Sequence, residues 1–201
     1  MINRYINDFI SKLKLNAIPS HRINVLEDIA ANLRINNNLN IKSKLNFICT
    51  HNSRRSQLCQ VWSDTMSRYY GFTNILSYSG GTEITQVNKN IINTLIETGF
   101  SIKKNKNLSN PIYFVNNGSK KNIKLFSKLY SDNSNPSVKY IAVLNCLGAD
   151  RSCPHVEGAS KRISLPFNDP GEYDKTKIKY EKYRKVNIEI ASSMKYLYLN
   201  I

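Results

Sequence analysis

No stretch of this 201-residue chain approaches the ~20 consecutive apolar residues that a helix needs to cross a bilayer, which argues against a helical membrane protein. Its first residues, Met1-Ile2-Asn3-Arg4-Tyr5-Ile6-Asn7-Asp8, lack the continuous apolar core of a secretory signal, so a cytoplasmic protein is expected. Cysteine is scarce: the chain has 4, Cys49, Cys59, Cys146 and Cys153, at irregular spacing. That is not the disulfide framework of a small secreted domain, and in a reducing compartment such residues are structural, metal-binding or catalytic. Neither Cys49/Cys59 nor Cys146/Cys153 has the two-residue spacing of a zinc knuckle, so no metal is expected. Acidic residues are also few, 14 against 29 Lys and Arg, for a net charge of +15. Such an excess suits nucleic acid or an anionic membrane. Here the lysines are scattered through a chain rich in Lys, Asn and Ile and form no basic block. We therefore read the charge as compositional and expect neither partner, although a positive field would attract a small oxyanion.

With 41% hydrophobic and 21% charged residues, the chain is long enough for one globular domain with a real core. Residues 1–43 read as a helical extension. Ile6, Phe9, Ile10 and Leu13 recur at helical spacing. A second helix follows Pro19-Ser20, with Ser20 as its expected N-cap and Val25, Leu26, Ile29, Ala30 and Leu33 as its apolar stripe. Forty residues are too few for a separate core, so the extension should pack on the main domain.

From residue 44 strands and helices alternate. Leu45–Cys49, Asn74–Tyr78, Tyr140–Leu144 and Arg162–Leu165 read as strands, with a Ser79-Gly80-Gly81 turn after the second. Arg55 to about Tyr70, Asn88–Thr98 (closed by Gly99) and residues 175–198 read as helices, the first with Leu58, Trp62, Met66 and Tyr69 on one face. This alternation predicts a single α/β domain over 44–201, with a mainly parallel four-stranded sheet flanked by helices. Ile112–Val115 and Ile123–Phe126 around Asn116-Asn117-Gly118 read as a β-hairpin, inserted at about 105–136.

The segment that carries chemistry is Cys49-Thr50-His51-Asn52-Ser53-Arg54-Arg55-Ser56, between a strand and a helix. A tetrahedral oxyanion needs several converging backbone N–H groups, and a loop at a helix start supplies them; residues 50–56 are the candidate oxyanion ligands. Arg55 offers a planar fork to two oxygens. Cys49 sits at the base of this cradle. Thiolate is the reactive form of cysteine, favoured by a helix N-terminus and an arginine, and the Ser56 hydroxyl can donate to it.

Leu45 to Gln57, LNFICTHNSRRSQ, resembles the active-site loop of low-molecular-weight protein tyrosine phosphatases and thioredoxin-coupled arsenate reductases: cysteine, five residues, arginine, then serine or threonine. The resemblance runs on through Tyr78–Glu83 and Asn168-Asp169-Pro170, over about 44–198 apart from the insertion. It implies Cys49 as nucleophile, Arg55 as anion ligand and Asp169 as general acid. Two positions depart from the family: His51 stands where glycine is usual, and Arg54 where many members have a second cysteine.

Cys146-Leu147-Gly148-Ala149-Asp150-Arg151-Ser152-Cys153-Pro154 resembles the redox segment of the arsenate reductases of this family. By that resemblance Cys49 attacks arsenic, Cys146 attacks Cys49 and releases arsenite, and Cys153 attacks Cys146. Thioredoxin, the expected partner, then reduces the disulfide, and no other cofactor is implied. Seven helical steps would separate the two cysteines by ~10 Å, beyond the ~7 Å between Cα atoms that a disulfide tolerates, so the segment must loop or unwind at Gly148-Ala149. Arsenate reduction is the preferred reading. A phosphatase, needing only Cys49, Arg55 and Asp169, is the alternative, weakened because Gly171 and Glu172 stand where phosphatases carry aromatic residues. A non-catalytic anion binder is a third reading, against which the intact nucleophile, arginine and acid argue. Cys59 reads as packing, and His21 and His155 as structural or surface residues.

Overall fold

The computed structural model describes residues 2–105, 109–152 and 155–201. At its centre is β1 (Ser43–Cys49), buried at every position except Lys44. A strand apolar on both faces belongs inside a sheet covered on both sides. It pairs in parallel with β2 (Ile75–Gly81) on one edge and with β6 (Tyr140–Leu144) on the other; β7 (Ala159–Ser164) adds in parallel to β6, for the order β2-β1-β6-β7. This is the expected four-stranded α/β sheet, with every pairing parallel.

Ser79-Gly80-Gly81, expected as a turn, belongs to β2: Phe47 pairs with Ser79, Ile48 with Gly80 and Cys49 with Gly81. The glycines let other backbone approach closely. A Cβ at Gly81 would stand 2.6 Å from the Thr50 carbonyl oxygen and 2.7 Å from the Asn52 nitrogen. The strand therefore runs on beneath the candidate loop.

Helix α3 (Arg55–Tyr69) packs against β1, β2 and α6 (Lys179–Leu199) and is buried almost all round. Leu58, Trp62 and Met66 are fully buried as expected, while Tyr69, at the end of the helix beyond the core, reaches the surface. The C-terminal helix starts later than residue 175, because Pro170–Tyr173 forms a separate 3₁₀ turn. Helix α4 (Lys89–Glu97) is closed by Gly99, whose φ of +108° suits a residue without a Cβ.

The insertion is larger than a hairpin. β4 (Tyr113–Asn116) and β5 (Ile123–Leu125) pair antiparallel as expected, but β3 (Ser101–Lys104) joins them as a third strand. Ser-Ile-Lys-Lys is mostly exposed and has no apolar alternation to announce it.

The extension folds as α1 (Arg4–Ser11) and α2 (Ser20–Asn38). Ser20 is the first helical residue rather than the N-cap. Pro19 holds that position without a side-chain cap, and its carbonyl accepts from Arg22 and Ile23. Ile6, Ile10, Leu26, Ile29 and Leu33 are fully buried in the same cluster as Leu45, Phe47 and Trp62. Phe9 stacks on Trp62 with centroids 5.3 Å apart, and Phe100 meets Trp62 edge-on. Extension and sheet thus share one core. Ile10→Ala is expected to cost about 2–5 kcal/mol, the range for emptying a buried aliphatic site, read as a lower urea midpoint of a single transition; a cost near zero would show the extension to be an appendage.

Candidate active site

The loop from Cys49 to Arg55 is held by its carbonyls. The Cys49 carbonyl accepts from Thr82 N, Thr50 from Glu83 N (2.8 Å), Ser53 from Asn88 N (3.0 Å) and Arg54 from Leu58 N (3.1 Å). His51 O accepts from the Ser127 hydroxyl at 2.8 Å, and Asn52 O from Gln57 Nε2 at 2.9 Å. Each carbonyl is tied to the surrounding protein, which leaves the N–H groups to the inner side of the turn, where an anion is cradled.

Asn52 has a φ of +46°, a left-handed conformation that asparagine tolerates better than most residues, and it is fully buried. Its Oδ1 accepts from the Lys128 backbone N–H at 3.1 Å, which fixes the orientation of the amide. Nδ2 therefore donates to Ser56 Oγ at 2.8 Å, and the Ser56 proton is left to point at Cys49 Sγ, 3.1 Å away. This chain of hydrogen bonds ends on Cys49, itself 3% exposed.

The other loop side chains have partners of their own. Ser53 Oγ donates to Gln86 O at 2.7 Å, His51 Nε2 lies 3.3 Å from Glu83, and Thr50 Oγ1 lies 3.4 Å from Cys146 Sγ. Arg54 donates to Tyr183 Oη and Asp174 Oδ2, each at 2.7 Å, and so braces the loop instead of facing an anion through its side chain. Burial tends to raise the Asp174 carboxyl, but bonds from Tyr183 and Arg54 outweigh it and hold the group below its usual range. Because the folded-state value is the lower one, this contribution is complete at neutral pH and is lost as pH falls through it, below about 4.

Arg55 and Asp169 stand together at the mouth. Arg55 Nη2 donates to Asp169 Oδ2 at 2.5 Å and Nη1 to Phe167 O at 3.2 Å. Arg55 Nε is buried and, among the described residues, has no acceptor. An unpaired buried donor on a cation is costly, and an oxyanion oxygen satisfies it. Asp169 Oδ1 accepts from Gly171 N at 2.9 Å, so the Asp-Pro pair also caps the 3₁₀ turn that carries the acid.

Comparison with known proteins places the fold. No family model matches the chain. An arsenate reductase of Bacillus cereus (strain 03BB102) is 26% identical over 155 residues, spanning 77% of this chain and 92% of its own. A low-molecular-weight protein tyrosine phosphatase from T. tengcongensis superposes with a TM-score of 0.55 at 15% identity, covering 80% of this chain and all of its own. An arsenate reductase in its phosphate-binding state gives 0.50 at 17% identity, covering 79% and 98%. The chain has the low-molecular-weight phosphatase and arsenate reductase fold.

On this fold Cys146 lies just before α5 (Leu147–Ser152), buried, with its sulfur accepting from Ala149 N at 3.2 Å. It lines the same cleft as Arg55 and Asp169. Cys153 falls outside the described residues. Helix α5 is pinned to β7 through Asp150, which takes Arg162 on one oxygen and Ser164 on the other. Cys59 is fully buried; burial, then the neighbouring Cys49, push its thiol well up, as befits a packing residue. His155 is exposed.

The sequence reading missed what the extension supplies. His21, exposed as expected, and Arg22 both line the cleft, whose volume is about 720 Å³. Arg22 places its guanidinium carbon 4.5 Å from the centroid of the Phe167 ring and donates to Pro166 O at 3.3 Å. It thereby holds the segment whose next carbonyl receives Arg55 and which leads to Asp169. Arg22→Ala is expected to lower turnover by roughly 10- to 100-fold, the cost of a small misplacement of a reacting group, with phosphate affinity nearly unchanged; equal losses in both would place Arg22 in anion binding instead.

Proposed function

We propose that this chain is an arsenate reductase with Cys49 as nucleophile, Arg55 and the backbone of residues 50–56 as anion ligands, and Asp169 as proton donor. Cys146 and Cys153 form its redox relay, and thioredoxin is its reductant. The observation that carries this reading is Cys146, a thiol in the wall of the cleft, with Thr50 Oγ1 of the Cys49 loop 3.4 Å from its sulfur. The similarity to the Bacillus cereus arsenate reductase supports it.

An incoming arsenate competes with Asp169 for the Arg55 fork. Once Arg55 turns to the anion, Asp169 loses its cation and gains a negative neighbour, where a proton on its carboxyl is stabilised. The Cys49 thiolate attacks As(V), an As–S bond forms, and the departing hydroxide takes the Asp169 proton and leaves as water. The Cys146 thiolate then attacks Cys49 Sγ. A disulfide forms, the As–S electron pair stays on arsenic, and As(III) departs as arsenite. Attack of Cys153 on Cys146 moves the disulfide to that pair and restores the Cys49 thiolate. The dithiol of thioredoxin takes up the oxidising equivalents. The turn of α5 between the two cysteines must unwind for the last exchange, which requires release of Asp150 from β7.

A phosphatase is the second reading, favoured by a cleft larger than one tetrahedral anion fills. The residues after Asp169 bring no aromatic ring into the cleft: Glu172 lines it, whereas Tyr173 lies under the Lys182 ammonium at 4.9 Å, and the Phe167 ring is covered by Arg22. Cys146→Ser and Cys153→Ser are each expected to abolish multiple-turnover arsenate reduction while sparing hydrolysis of a small aryl phosphate, and Cys49→Ser to abolish both. After reaction with arsenate, mass spectrometry of alkylated protein should find Cys146 joined to Cys153, with Cys49 and Cys59 free. Wild-type behaviour in both relay variants, without that disulfide, would overturn the reductase in favour of the phosphatase.

A further inference from the structure

A second pocket, of about 240 Å³, lies between the inserted sheet and α3, away from the cleft. Its most unusual wall residue is Lys128. The residue is only 4% exposed, yet among the described residues its ammonium makes no ion pair and no hydrogen bond. It stands 4.6 Å from the centroid of the Phe126 ring, and Lys124 approaches the same ring at 5.1 Å. Two ammonium groups on one ring, with Lys121 also in the pocket wall, make a concentration of like charge. The nearby carboxylates are otherwise engaged. Asp64 is bound by Arg68 at 2.6 and 3.1 Å, and Asp132 accepts from the nitrogen and hydroxyl of Ser134. Burial lowers Lys128 to about 8, with Asp132 acting against it and Lys124 with it. Burying a cation with only a distant counter-charge is costly, and an anionic ligand would offset that cost.

We propose that this pocket is a second anion site, for a small oxyanion bearing carboxylate or phosphate, held by Lys128 and Lys124. Charge complementarity sets the sign of the ligand, and the volume limits it to a small one. The site also stands next to the chemistry. The segment whose side chains line it is stitched by other atoms to the candidate loop: Phe126 O accepts from Gln57 Nε2, the Ser127 hydroxyl donates to His51 O, and Lys128 N donates to Asn52 Oδ1. The proposal is independent of which reaction Cys49 performs.

Calorimetric titration tests it with inorganic phosphate in one arm and malonate in the other. Lys128→Met keeps the apolar stem, and Arg55→Met weakens the candidate active site. At least one of the two probes is expected to bind Arg55→Met at one equivalent. For that probe, Lys128→Met should lose one equivalent relative to wild type. Lys124→Met, at an exposed position, should weaken the same event by on the order of 10- to 100-fold, as loss of a charged hydrogen bond does, and it decides the matter if Lys128→Met fails to fold. The probe that behaves this way names the ligand class. Binding of neither probe to Arg55→Met, or stoichiometry and affinity unaltered by the lysine substitutions, overturns the proposal.

Discussion

A loop can direct a run of N–H groups toward one point only if the carbonyls of the same peptides find partners on the other side. That requirement organises this molecule. β2 continues beneath the loop as Gly80-Gly81 and leads into the Thr82 and Glu83 nitrogens that hold the carbonyls of Cys49 and Thr50. The start of α4 supplies Asn88 N, and the segment after β5 supplies the Ser127 hydroxyl. Asn52, held by Lys128, then orients Ser56 toward Cys49. Sheet, insertion and α4 each contribute to one turn, and loss of any of them would leave peptide groups of that turn unpaired in a buried setting.

The loop itself was legible because its parts are adjacent in sequence: a buried strand ending in cysteine, then an arginine and a serine opening a helix. What the individual side chains do was not. Arg54 read as a candidate oxyanion ligand and a departure from the family, but its partners Asp174 and Tyr183 lie 120 and 129 residues away. The acceptor role of Asn52 toward Lys128 spans 76 residues. The Asp-Pro pair at 169–170 read both as a turn and as an acid, and the geometry lets it be both, since Asp169 caps the turn with one oxygen and meets Arg55 with the other. Helical periodicity showed that the extension would pack. Which pocket its first turn would wall depended on tertiary docking, which periodicity does not encode.

In the structure Arg55 is paired with Asp169; in the proposed reaction it would turn toward the anion and leave the carboxyl to carry a proton. Arg22, resting on Phe167 and bonded to Pro166 O, holds the segment that leads to Asp169. The buried and unpaired Arg55 Nε is consistent with a site built for an occupant. The helical extension helps to wall the cleft, and the inserted segment bonds the loop through Ser127 and Lys128.

The central claim is that Cys49 is an anion-site thiolate, and selective alkylation tests it most directly. Treated with a limiting amount of iodoacetate near neutral pH, the native protein should be labelled at Cys49 and not at buried Cys59. Inorganic phosphate or arsenate should protect Cys49 in a saturable way. Labelling of Cys49 that is indifferent to both anions, or labelling distributed among the thiols without preference, would contradict the account.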